Sequence, residues 1–331
     1  MRINAPKIAD MRNQRILGAL WAFTLLMLGA CGGGGGSSTG SIDNGSGNPG
    51  VTPTVSVEIT SEPSPPMYFA LNTFIVTGDG VDGLSVSAQG ACTGVNEAAR
   101  TASNQRRFTC RPGGIGVDAI TITARNPQTQ AQKIQAFTIP KPQVTLSTSL
   151  GPLVVTLEPE RAPLSTNNFL EIVATGFYDG TSLHETAEGN RALGGLYKLV
   201  GTTWSRQPSP ALPPVKFESP LTTGLSNTAG TLAVYREGAA LLDSGTTGFL
   251  VNLGNHGTDA NGNIAVNNNR DGKSTRDISA YAVFGSVNTE GYGFINNAAR
   301  TSQQGQLAGP DSPTYMIPAP PISISTARQT R

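Results

Sequence analysis

Histidine and cysteine are both scarce in this chain. Histidine occurs twice in 331 residues, as His184 and His256, and cysteine three times, as Cys31, Cys92 and Cys110. Residues 53–141 hold no histidine, so their two cysteines alone are too few ligands for a structural zinc site. Charged residues are also sparse, at 14%, and the formal net charge is +1 with no basic run. Nucleic acid as a partner therefore has no electrostatic support. The one long hydrophobic run, Ile16 to Leu28, is short of the ~20 residues a membrane-spanning helix needs. What is plentiful is glycine, 40 residues, as expected of β-rich domains joined by loops.

That hydrophobic run reads as an address. Arg12 and Arg15 precede it, Gly18 and Thr24 interrupt it, and Leu28-Gly29-Ala30-Cys31 ends it. The tetrapeptide resembles a bacterial lipobox, which makes residues 1–30 a signal peptide and Cys31 the lipidated first residue of the mature chain. Met11 is a second candidate start, because Asp10 is unusual in a signal peptide's basic region. Residues 31–52, opening with Gly32 to Gly36, are too rich in Gly, Ser and Asn to bury a core and read as a flexible tether. Glycine directly after Cys31 resembles the outer-membrane sorting class. The expected location is the bacterial cell envelope, anchored by lipid, with the domains facing the periplasm.

Residues 53–141 show short alternating strands. Val55, Val57 and Ile59 alternate, as do Ile120 and Ile122, and Gly78-Asp79-Gly80 and Gly113-Gly114 supply turns. This spacing predicts an immunoglobulin-like β-sandwich, without the tyrosine and tryptophan hallmarks of true immunoglobulin domains. With Cys31 lipidated, Cys92 and Cys110 remain, and an oxidising compartment favours a bridge between them over two buried thiols. Such a bridge would stabilise by about 3 kcal/mol. Nothing here points to catalysis, and a spacer or adhesive module is expected.

Residues 142–331 follow the stiff boundary Pro140-Lys141-Pro142. Val144 to Leu150 and Leu153 to Leu157 predict a hairpin turning at Gly151-Pro152. Leu164, Phe169, Ile172 and Val173 predict a helix from Leu164 to Thr175, with Pro163 in its first turn and Gly176 as its stop. Then comes GFYDGTSLHETAEGNRALGG, Gly176 to Gly195. It resembles the active-site strand of the cyclophilins, cyclosporin-binding peptidyl-prolyl isomerases whose pattern is roughly GFYDGT-x-FHR-V-x-x-GFMIQGG. Gly224 to Val234, Asp243 to Asn252, Ala280 to Val287 and Pro321 to Ser325 resemble later family motifs in the family's order. The resemblance implies an all-β-dominated chain. A cyclophilin-like eight-stranded antiparallel β-barrel with two capping helices would follow the sandwich.

The departures fall on the chemistry. The family's catalytic arginine aligns with Glu185, its Phe-Met pair with Asn190 and Arg191, and its glutamine with Leu193. By the same alignment the substrate pocket would comprise Asn190, Arg191, Leu193, Tyr235, Phe249, Leu250 and Tyr281. An ionised Glu185 only accepts hydrogen bonds, so it cannot donate to a twisting prolyl nitrogen. Arg191 is a possible substitute donor, with Glu185 competing for it in an internal ion pair. His184 matches a family histidine that supports the strand, so a structural role is expected for it rather than a place in a triad. Thr202 to Pro214, with Trp204 and four prolines, reads as an extended surface loop. The Asn/Gly-rich stretch 255–277 reads as a disordered insertion, since no glutamate stands where an EF-hand needs one. No metal or cofactor is expected.

Two functions follow. One is a periplasmic peptidyl-prolyl isomerase acting weakly on proline-containing polypeptides. The other is a non-catalytic peptide-binding or structural lipoprotein that reuses the barrel. Oligomeric state is not legible.

Overall fold

The computed structural model describes residues 54–236, 242–256, 281–307 and 314–331. The segment expected to be a signal peptide, Cys31, the expected tether and nearly all of the stretch 255–277 lie outside the described residues.

The first half contains β1 (Val57–Glu62), β2 (Asn72–Gly78), β3 (Ser85–Gly90), β4 (Asn96–Ala98), β5 (Gln105–Cys110), β6 (Gly116–Arg125) and β7 (Gln132–Ile139). They form a four-stranded sheet, β1-β2-β5-β4, and a three-stranded sheet, β3-β6-β7, both antiparallel. Alternation makes a sandwich of them. Ile120, Ile122 and Ala124 bury one face of β6, and the Phe74 and Phe137 rings from opposite sheets meet 5.2 Å apart. Cys92, after β3, is bridged to Cys110 at the end of β5, with Cα atoms 6.2 Å apart, so the disulfide ties one sheet to the other.

The second half contains β8 (Gln143–Thr148), β9 (Gly151–Leu157), α1 (Pro163–Ala174), β10 (Ser182–Ala187), β11 (Arg191–Gly194), β12 (Tyr197–Val200) and β13 (Thr203–Arg206). The one-turn α2 (Pro220–Thr223), β14 (Thr231–Val234), β15 (Phe249–Asn252), β16 (Val283–Val287) and α3 (Thr289–Ala299) follow. The last strands are β17 (Gln303–Gln306), β18 (Thr314–Ile317) and β19 (Ile322–Gln329). Eight strands close a barrel in the order β10-β11-β15-β14-β16-β9-β8-β19. Val144, Leu146, Leu183, Ala192, Phe249, Val251, Phe284 and Ile324 are among its fully buried residues. Helix α1 plugs it through Phe169, whose ring lies 5.4 Å from Tyr178, 5.9 Å from Phe249 and 5.3 Å from Phe284.

Helix α1 begins at Pro163, which needs no backbone partner there. Ala162 precedes it and cannot cap, so the amides of Leu164 and Ser165 donate instead to Glu218, at 2.9 and 2.8 Å. The helix stops where Gly176 takes φ of 71°, a conformation glycine adopts without strain.

Three local expectations are corrected. The hairpin between β8 and β9 turns at Ser149-Leu150, and Gly151 and Pro152 are already paired with Thr148 and Ser147. The Thr148 hydroxyl donates to the Gly151 carbonyl and accepts from the Leu150 amide, which fixes the earlier turn. GFYDGT is a run of turns, and the strand starts at Ser182. Trp204 belongs to a β12–β13 hairpin, pairing with Leu199 and packing beside Leu196, Tyr197 and Leu307, because burying an indole outweighs leaving it in a loop.

The two halves touch along α1 and β19. The Tyr68 hydroxyl donates to Asn167 Oδ1 at 2.7 Å, Gln329 Nε2 donates to the Tyr68 carbonyl at 2.9 Å, and Arg111 lies 3.5 Å from Glu171.

Candidate active site

Successive side chains on a strand face opposite ways, and the barrel's outer face carries the site. β11, β15, β14 and β16 lie side by side, with Leu193 opposite Leu250 and Leu250 opposite Ala233. These three and Val283 form a separate buried apolar cluster, against which Leu225, Tyr235 and Tyr281 pack. Phe249 faces the other way, with its ring 5.4 Å from Tyr178 in the interior. Of the Phe249-Leu250 pair, Leu250 therefore stands with Leu193 and Phe249 with the core.

Glu185 and Arg191 stand beside this row. They lie on the antiparallel pair β10–β11, where Glu185 faces Leu193 and Ala187 faces Arg191, and the register shifts between Leu183 and Glu185. A bulge of this kind re-aims a side chain. The result is an ion pair, Arg191 Nε donating to Glu185 Oε2 at 2.9 Å, with only 9% of the Glu185 side chain and 19% of Arg191 exposed. Arg191 also places Nη1 3.4 Å from the Tyr281 hydroxyl and its guanidinium carbon 5.7 Å from the Tyr235 ring centre. Burial works against the Arg191 charge, but Glu185, Tyr281 and Tyr235 together lift its pKa above the ordinary value. Burial likewise pushes the Tyr235 phenol up to about 12, against the pull of Arg191. The Tyr235 and Tyr281 rings are stacked, 6.4 Å apart and tilted by 15°.

Asn190 occupies the exposed β10–β11 turn rather than the row, and its carbonyl accepts from the Leu253 amide at 3.0 Å. His184 is fully buried on β10, with its ring 4.8 Å from Tyr197 and 6.1 Å from Tyr315. Its Nε2 has no hydrogen-bond partner among the described residues, and burial drives its pKa down to about 3, so it stays neutral. His184 therefore packs and does not titrate near neutrality.

Asn227 and Asn252 went unassigned in the sequence, although both lie in the quoted motifs. Asn252 is paired across the strands with Arg191 and is fully buried. Its Nδ2 donates to Asn227 Oδ1 at 3.2 Å and to Thr231 Oγ1 at 2.9 Å, while Asn227 Nδ2 donates to the Tyr281 carbonyl at 3.0 Å. This network fixes Tyr281, and through it one side of Arg191. Its signal was Asn252 at the end of the apolar, buried strand β15, together with Asn227 in the irregular stretch just before β14.

The site combines an apolar row with a neutralised cation. A guanidinium has five N–H donors, and here one is committed to Glu185 and another to the Tyr281 hydroxyl. Among the described residues, no group of three or more His, Cys, Asp or Glu could hold a metal ion.

A closed antiparallel barrel of eight strands, plugged by a helix and bearing an apolar row with a guanidinium on its side, is the architecture that the resemblance in the sequence implies. The family model for cyclophilin type peptidyl-prolyl cis-trans isomerase/CLD matches residues 143–321, and the chain belongs to that family. Similar relatives include peptidyl-prolyl cis-trans isomerase A of Dickeya dadantii, 32% identical over 186 residues, covering 56% of this chain and 83% of the relative. A peptidyl-prolyl cis-trans isomerase of Acinetobacter baylyi is 31% identical over 198 residues, covering 59% and 93%. Among solved structures, a cyclophilin type peptidyl-prolyl cis-trans isomerase of Cryptosporidium parvum aligns over 57% of this chain and 98% of its own, with 17% identity and a TM-score of 0.38.

Proposed function

We propose that this protein is a cell-envelope peptidyl-prolyl cis-trans isomerase of low activity, anchored by lipid on Cys31 and acting on proline-containing polypeptides. The observation behind the low activity is the Glu185–Arg191 ion pair. Prolyl rotation has a barrier of about 18–20 kcal/mol, because amide resonance must be lost. Lowering it requires a donor aimed at the pyramidal prolyl nitrogen and a pocket that grips the ring. Here the Arg191 guanidinium is held by a carboxylate, and the position aligned with the family's arginine is that carboxylate. The cation that would stabilise the twisted amide is thus neutralised in advance.

A second reading, a barrel that binds extended peptides without turning them over, is favoured by the half-buried rings of Tyr235 and Tyr281, which cover the row and leave an apolar surface beside a cation already paired with Glu185.

Cis-to-trans rates on a proline tetrapeptide separate the two. Wild type should be slow, and Glu185→Arg combined with Arg191→Met should raise the rate at least about tenfold, or about 1.4 kcal/mol of barrier. A wild-type rate typical of an active isomerase, abolished by Arg191→Ala, would overturn the low-activity reading and make Arg191 the donor. Peptide-mass measurement of the mature N-terminus tests the anchor, and an unmodified Cys31 would remove it.

A further inference from the structure

A second concave surface lies away from the Glu185–Arg191 pair. At the seam between sandwich and barrel, α1, the loop before Val215 and the Phe69 turn enclose an open groove of about 410 Å³. Its walls are apolar: Phe69, Leu164, Leu212 and the Pro213-Pro214 pair, with Leu164 47% exposed on α1. Phe69 is held at φ of 59°, a backbone conformation that bulky residues avoid. Its amide donates to the Pro112 carbonyl at 2.9 Å, and Arg111 lies over its ring at 5.1 Å.

The groove also has polar groups to offer. Asn167 uses its Oδ1 for Tyr68, and Asn168 uses its Nδ2 for the Thr246 carbonyl. One amide N–H₂ and one amide oxygen are left, neither hydrogen-bonded among the described residues. Lys216, exposed at the groove, has no ion pair among them, whereas Glu171 is matched by Arg111 and Glu218 by the first amides of α1. The net complement is apolar walls, one donor and one acceptor of peptide type, and one unmatched positive charge.

We infer that this groove is a docking site for an extended apolar polypeptide segment bearing a carboxylate that meets Lys216. Asn167 and Asn168 line the groove with one free donor and one free acceptor, and a polypeptide backbone offers a partner to each. An acyl chain would leave both amides without partners, at a desolvation cost. The inference takes its occupant's chemistry from the proposed isomerase substrate, but its test does not use isomerisation.

The test is binding of fluorescently labelled, reduced and carboxymethylated lactalbumin, an acidic unfolded chain, to the full-length protein. Leu164→Asp should weaken binding at least about tenfold and Lys216→Glu about threefold, while Val200→Asp, an exposed residue on another hairpin, should leave it unchanged. Tetrapeptide isomerisation by Leu164→Asp should match wild type. Equal binding by all variants, or equal loss in Val200→Asp, overturns the site. So does a concentration-dependent dimer that Leu164→Asp abolishes without altering polypeptide binding. A wild type inert toward the tetrapeptide but still binding through Leu164 would sink the isomerase reading and leave the groove standing.

Discussion

The same strands build the inside of the barrel and its site-bearing outer face, yet the two faces follow different rules. Inside, Leu183, Ala192, Phe249 and Val251 are fully buried and apolar, and Phe169 and Phe284 complete the packing. Outside, one residue along from several of these, stand Glu185, Arg191, Leu193 and Leu250. Any inner substitution is felt by a close-packed core, so inner positions admit little chemistry. Outer positions are packed too, Leu193 and Leu250 beneath Tyr235 and Tyr281, but charged side chains stand beside them with part of their surface exposed. The carboxylate in this chain falls on the outer face, where the fold tolerates it because Arg191 satisfies it.

The contrast can be broken at its strongest point first. Phe249→Ala should cost about 3–5 kcal/mol, because the deleted ring leaves a cavity among Phe169, Tyr178 and Thr247. Denaturant unfolding measures it, and a cost below 1 kcal/mol would mean that the two faces are not so different.

His184 sharpens the comparison by pH. Its native pKa, about 3, lies below the unfolded value near 6.5, so the unfolded chain takes up the proton first. Stability is therefore undiminished above pH 6.5 and falls as pH drops from 6.5 toward 3, by at most about 1.4 kcal/mol per unit. Urea midpoints between pH 6.5 and 4.5 should slope downward in wild type and flatten in His184→Phe. An identical slope in both would show that His184 is not held neutral.

The smallest effect expected is the Glu185–Arg191 coupling. A double-mutant cycle with Glu185→Gln and Arg191→Met should return about 2 kcal/mol, as for a largely buried charge-assisted hydrogen bond. A coupling near zero would put the pair effectively in solvent and weaken the case for an occupied site.

Much of this was legible one element at a time. Gly176 marked the end of α1 because a positive φ is cheap only for glycine, and Pro163 marked its beginning because that position needs no donor. The Glu185–Arg191 pair was legible as a competition between aligned positions, since two opposite charges on one short hairpin rarely ignore each other. The GFYDGT segment misled in one respect: its motif is shared with a strand, but Asp179 is held by Arg328 and by the Ala327 amide at 2.9 Å, which keeps the segment in turns.

The order of motifs, the existence of the β8–β9 hairpin and the limits of α1 were determined by the sequence alone, because each depends on residues that are neighbours in the chain. Only the tertiary structure decided which side chains share a face and which distant groups meet. Glu218 caps α1 across 54 positions, and the Tyr68 hydroxyl reaches Asn167 across 99. Leu250 parts from Phe249 only once β15 lies between β11 and β14. Such pairings follow from closing a sheet on itself, which sets partners by position around the barrel rather than by separation along the chain.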